Sequence, residues 1–101
     1  MALPIRIEYL STAQKDREDI FNYIAKDNRE AALKLLEEID DAINQLKLNP
    51  LLGTIPNVTT LVKLGYRVLN VKNYVVLYTM KENIVQIRNI IHGWLKKQKF
   101  R

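Results

Sequence analysis

Cysteine is missing from the chain altogether. That absence excludes disulfides, thiolate metal sites and a cysteine nucleophile. Histidine occurs once, at His92, and one imidazole with no cluster of acids or further histidines cannot build a zinc site. No metal and no cofactor are expected. No apolar run is long enough to span a membrane, and Met1-Ala2-Leu3-Pro4-Ile5-Arg6 lacks the apolar stretch of a signal peptide. The expectation is a cytoplasmic protein with no membrane partner. Internal repeats and low-complexity segments are lacking too, and 101 residues leave room for one core, so a single domain over 1–101 is expected.

Acidic residues are scarce only locally. Residues 51–101 hold nine Lys/Arg and one acid, Glu82, for a net +8, whereas residues 1–50 hold seven Lys/Arg and ten Asp/Glu, for a net −3. With 48% hydrophobic and 27% charged residues the chain has the balance of a globular protein. So one-sided an excess fits a face that meets phosphate or an acidic partner. A solvated lysine surface is the plainer reading.

Residues 3–9 alternate apolar and polar, as a short half-buried strand does. Ser11 with Gln14 matches a capping box and opens a helix whose apolar side is Ala13, Ile20, Phe21 and Ile24. Asp16, Glu18 and Asp19 fall near its early turns, where the helix dipole favours negative charge. After the break at 26–29, Asp27 or Asn28 can cap a second helix. Ala32, Leu35, Leu36, Ile39, Ile43 and Leu46 give it an apolar stripe of helical period, and Asn49-Pro50 ends it. Residues 50–60 read as loop, followed by strands over 62–71, 74–80 and 84–91. Lys72-Asn73 and Lys81-Glu82-Asn83 supply the turns. Val85, Ile87 and Ile91 are expected on one face of the last strand, with Gln86 and Arg88 on the other. The order is strand, helix, helix, three strands and a basic tail from Gly93 to Arg101. It predicts an α+β fold: a helical hairpin on one face of a mainly antiparallel sheet.

Particular residues recur within this order. They are Ala13-Gln14-Lys15-Asp16 with Ile20 and Tyr23-Ile24; Ala31-Ala32, Ile39, Ile43 and Leu46 running to Asn49-Pro50 and Gly53; Tyr66-Arg67-Val68-Leu69; Tyr74 to Tyr78; and Arg88 to His92-Gly93. In that order and spacing, over nearly the whole length, the chain resembles the RelE/ParE superfamily, toxins of type II toxin–antitoxin modules that stabilise plasmids and chromosomes. The resemblance implies a βααβββ fold and growth inhibition neutralised by a cognate acidic antitoxin. It also implies one of two targets. RelE-like members cleave messenger RNA in the ribosome as metal-independent endoribonucleases, and ParE-like members inhibit DNA gyrase. A homodimer or a toxin–antitoxin heterotetramer is compatible with it. A third reading is an inert member kept for complex formation with its antitoxin.

Cleavage by the 2′-hydroxyl route needs a proton acceptor, a cation for the phosphorane and a proton donor for the leaving oxygen. Arg67, Arg88 and His92 are the candidates, with Tyr78 a fourth, although Tyr74 and Tyr78 lie in an apolar strand that reads as core. Two departures weaken cleavage. RNA-cleaving relatives carry an arginine directly after the first tyrosine of the Tyr-x-x-x-Tyr strand, where this chain has Val75. They also carry a charged pair beyond the last strand, where it has Trp94-Leu95. The ParE-like, gyrase-directed reading is therefore favoured. The residues expected to meet the target are Lys63, Arg67, Trp94, Lys96, Lys97, Lys99 and Arg101, cations that track phosphates beside a ring that can stack. The sheet edge and the groove beside the helical hairpin are expected landing places for the antitoxin.

Overall fold

The computed structural model describes residues 4–93. Strand β1 (Arg6–Tyr9) leads into helices α1 (Ser11–Ala25) and α2 (Arg29–Asn44), a 3₁₀ turn at Gln45–Lys47, a short helix α3 (Thr59–Lys63), and strands β2 (Arg67–Val71), β3 (Tyr74–Lys81) and β4 (Ile84–His92). The sheet order is β1-β4-β3-β2; β1 runs parallel to β4 and the other pairs are antiparallel. The predicted α+β fold is found, with the helical hairpin packed on one sheet face. The periodic stripe of α2 explains why: Ala32, Leu36, Ile39 and Ile43 are buried, and Leu46 continues the line from the 3₁₀ turn. They meet Leu69, Val71, Val76, Tyr78, Val85, Ile87 and Ile90 from the sheet.

Four local readings need correction. Ser11 is the first helical residue rather than the cap; Leu10 occupies the cap position without a side-chain bond, and Gln14 Nε2 donates to the Tyr9 carbonyl at 3.3 Å. The second helix does use Asn28, whose side chain accepts from the Ala31 N–H at 3.0 Å. Residues 59–63, read as loop end and strand start, form α3. That helix stops at Gly65, whose φ of +81° lets the Gly65 N–H reach the Val62 carbonyl and the Tyr66 N–H reach that of Leu61. This paired closure is the usual glycine helix stop, and it delays β2 to Arg67.

Asp16 was grouped with the dipole-complementing acids, but it sits three residues from Ala13 and four from Ile20, on the packed side of α1. Its Oδ2 accepts the Ile90 N–H at 2.9 Å. The cause lies in β4. Leu77 pairs with Asn89 and Tyr78 with Ile87, so Arg88 is an extra residue against β3, a β-bulge. The bulge reverses the alternation beyond it, and Ile90, not Ile91, joins Val85 and Ile87 in the core. Ile91 packs instead with Val68, Val75, Leu77 and Tyr66 on the opposite face. The Thr12 hydroxyl donates to the Arg88 carbonyl at 2.6 Å, so α1 satisfies backbone groups of the interrupted ladder on both sides of the bulge.

Candidate functional site

Residues paired across neighbouring strands share a face. Arg67 lies opposite Tyr78, and Tyr78 opposite Ile87, on the helix-covered face. Arg67 Nη1 donates to the Gly53 carbonyl at 2.7 Å. The Tyr78 hydroxyl accepts the Gly53 N–H at 2.9 Å and donates to the Pro50 carbonyl at 2.8 Å. Burial pushes the Tyr78 phenol above its ordinary value, outweighing the Gly53 bond and the Arg67 charge that pull it down. A fully buried ring with a retained proton and two backbone partners pins a loop. Tyr78 thus belongs to the core, as the apolar strand around it predicts.

Arg88 projects to the other face. Its Nε donates to Thr79 Oγ1 at 2.9 Å and its Nη2 to Gln86 Oε1 at 3.3 Å, and its guanidinium carbon lies 5.5 Å from the Tyr66 ring centroid. His92 is exposed at the end of β4, opposite Tyr74, with ring centroids 5.3 Å apart in an edge-on arrangement. With Lys34, Lys72 and Asn73 it borders a shallow depression of about 380 Å³. Along β3, Tyr74 and Tyr78 are separated by about 13 Å of strand rise, and Arg67 and His92 flank β3 on opposite sides. Arg67, Arg88 and His92 are therefore not brought together around one point. Val75, the position without an arginine, is buried beside Val68 and Leu77. Lys63 is exposed at the end of α3. Trp94, Lys96, Lys97, Lys99 and Arg101 lie outside the described residues.

A second polar arrangement went unread in the sequence. The Tyr9 hydroxyl donates to Asp40 Oδ1 at 3.0 Å, Arg17 Nε donates to the same oxygen at 3.1 Å, and Arg17 Nη2 donates to Asp40 Oδ2. Burial, then the Asp40 charge and hydrogen bond, drive the Tyr9 phenol well above its ordinary value. The bond to Asp40 likewise raises the Arg17 guanidinium. The network ties β1 and α1 to α2 and borders a groove of about 730 Å³ between the helices, where Phe21, Leu33 and Leu36 lie among Glu18, Glu37, Asp40 and Asp41. Its partners are 23 and 31 residues apart, too far for any local spacing rule to find. Among the described residues no group of three or more His, Asp or Glu is placed to hold a metal ion, and no helix is long and apolar enough to cross a membrane.

The family model described as the ParE toxin of type II toxin–antitoxin system, parDE, matches residues 7–93. No curated protein matches the chain. Among solved structures, the fold is similar to a chain of the chromosomal ParDE system from P. aeruginosa, at 20% identity and TM-score 0.72, covering 88% of this chain and 96% of that one. It is also similar to a chain of the RelBE2 toxin–antitoxin complex from Mycobacterium tuberculosis (21% identity, TM-score 0.59, 89% and 99% covered). A third likeness is to a chain of the YoeB–YefM complex from Staphylococcus aureus (18% identity, TM-score 0.59, 89% and 98% covered).

Proposed function

Because the chain belongs to the ParE toxin family of type II toxin–antitoxin systems, we propose that it arrests growth by binding DNA gyrase and breaks no bond itself. The observation that carries this reading is the separation of the candidate catalytic groups. Arg67 is held on the Gly53 carbonyl under the helix-covered face, and Arg88 is bonded to Thr79 and Gln86 on the other. Transesterification of RNA needs an acceptor, a cation and a donor around one phosphate. Buried Val75 adds no charge to either face.

The partner that neutralises the toxin is a cognate antitoxin, acidic in its toxin-binding segment. That chemistry suits the excess of cations in residues 51–101. Lys63 and the cations at 96, 97, 99 and 101, with Trp94, are the proposed target-facing residues; Arg67 acts through the loop it holds. Expression of the chain in a bacterium, with mapping of transcript 5′ ends and of chromosome integrity, tests the proposal. Intact transcripts with accumulating DNA breaks and filamentation are expected. In-frame cuts within codons would overturn it in favour of a ribosome-dependent endoribonuclease, and an absence of growth arrest would leave an inert member of the family.

A further inference from the structure

Val68, Val75 and Leu77 are only 3%, 2% and 4% exposed, yet they lie on the sheet face turned away from the helical hairpin. A sheet face open to water leaves its outward side chains partly wet. Among the described residues, the apolar groups packed on this trio are Tyr66 and Ile91. Ile91 is the neighbour of Val75 within the sheet and Tyr66 leads into β2, so neither lies over the face. Helix α3 buries no residue of its own. Asn70, which pairs with Val75 from β2, is exposed. The cover therefore sits over β3 and β4. It belongs to this chain, since the chain alone buries these residues.

Residues 1–3 and 94–101 are the parts of the chain left to supply it. Arg6 pairs with Ile84, the first residue of β4, whereas Val75 pairs with Ile91 near its end, about 23 Å along the strand. Three residues extend about 11 Å at most, and β1 is parallel to β4, so the chain ahead of Arg6 departs from the far end. The other exit is adjacent. Gly93 follows Ile91 by two positions, and its N–H donates to the Asn73 carbonyl at 2.6 Å, which holds it beside the start of β3.

The composition of that exit suits an anchor. Trp94, Leu95 and Phe100 are apolar among Lys96, Lys97, Lys99 and Arg101, and one aromatic side chain removes about 150–250 Å² from water when covered. We infer that residues 94–101 fold back over the helix-free sheet face, with Trp94 and Leu95 seated on Val75, Leu77 and Ile91. Val75 and Trp94-Leu95, the two places where the chain departs from RNA-cleaving relatives, are then the two sides of one apolar contact. An arginine at 75 would be a charge buried without a partner. The same fold-back gathers the tail cations near Arg88, which projects from this face. Together with the gyrase-directed reading, on which this last step rests, it makes the helix-free face the one presented to an acidic surface of the target. Trp94 serves that surface from beneath, as Arg67 acts through its loop.

Trp94 is the one tryptophan in the chain, so its fluorescence reads the contact without a label. In the full chain, made by cell-free translation, its emission should be shifted to the blue of that in urea and resist quenching by acrylamide. Acrylamide is uncharged, so the neighbouring lysines do not concentrate it. Nuclear Overhauser contacts should join the indole protons to methyl groups of Val75, Leu77 or Ile91. Val75→Thr keeps the side-chain shape and adds a hydroxyl; it should shift the emission to the red and ease quenching, with circular dichroism unchanged. An indole quenched as freely in the native protein as in urea overturns the inference, and so do indole contacts to the helical hairpin instead of β3 and β4. Growth arrest is read separately. Lys96→Gln, Lys97→Gln and Lys99→Gln combined should abolish arrest and leave the emission unchanged. Arrest that survives in that variant overturns the target-facing role of these cations, and the docking is then judged by the fluorescence and the indole contacts alone.

Discussion

Arg67 and Tyr78 face each other across β2 and β3, and both commit their polar atoms to the same loop, at Gly53. A cation and a phenol that look like catalytic equipment in the sequence are thereby occupied in holding residues 50–54 against the sheet.

Removal of that phenol should be felt as instability. Tyr78→Phe leaves the Gly53 N–H and the Pro50 carbonyl without their partner, at a cost of about 1–3 kcal/mol in urea unfolding. Gly53→Ala should be at least as harmful. A Cβ there would lie 2.6 Å from the Tyr78 hydroxyl and 2.9 Å from the Val68 carbonyl, and neither a fully buried ring nor a strand backbone can give way. Hydrogen exchange should quicken across 48–56 in both variants, while α2 keeps its protection.

Alkaline pH gives a second check. Tyr9 and Tyr78 both have folded-state values raised above the ordinary 10.0. The folded protein thus holds these protons more tightly than the unfolded chain does. Their stabilisation is complete below about pH 10 and is lost as pH rises through the folded-state values. Unfolding free energy should be flat with respect to these groups from neutrality to about pH 10 and then fall. Tyr9→Phe should lower neutral stability by about 1 kcal/mol and make the alkaline fall shallower. An unaltered alkaline slope would remove Tyr9 from this account.

The bulge at Arg88 depends on α1. Asp16→Ala strips the Ile90 N–H of its acceptor and should cost about 1–3 kcal/mol, whereas Asp16→Asn keeps an oxygen there and should cost less. A chemical-shift change at Ile90 larger than at Val85 would locate the effect at the bulge.

Growth arrest itself separates binding from cutting. His92→Ala should remain toxic, since a binding mechanism needs no proton transfer from the imidazole. Loss of a general acid or base would instead slow cleavage by about 10²–10⁴-fold, readable as survival of cells at matched expression.

Much of the fold was legible because its signals are local. The α2 stripe from Ala32 to Leu46, the cap at Asn28 and the two hairpin turns are written within a few residues of where they act. The α3 turn was legible only in part. Gly65 announces a stop, but Leu61-Val62 reads as strand because apolar β-branched content is shared by strands and short helices. Asp16 carried a usable signal as well: a carboxylate on an apolar helical stripe requires a partner, although the partner's identity was beyond reach.

The catalytic candidates mark the division. By itself the sequence determined the order of the strands and the two long helices, the helical core stripe and the separation of acidic and basic halves, because each is a matter of periodicity, composition or spacing. Its motifs carried the resemblance to the family. Tertiary structure decided which face each side chain meets. Arg88 stays with Gln86 on the face that alternation gives it, the face away from Arg67, and the extra residue there returns Ile90 to the core in place of Ile91. Side chains in a strand alternate with a period of two, so a single inserted residue reverses every assignment beyond it. No count along the chain reveals the insertion until the partner strand is in place.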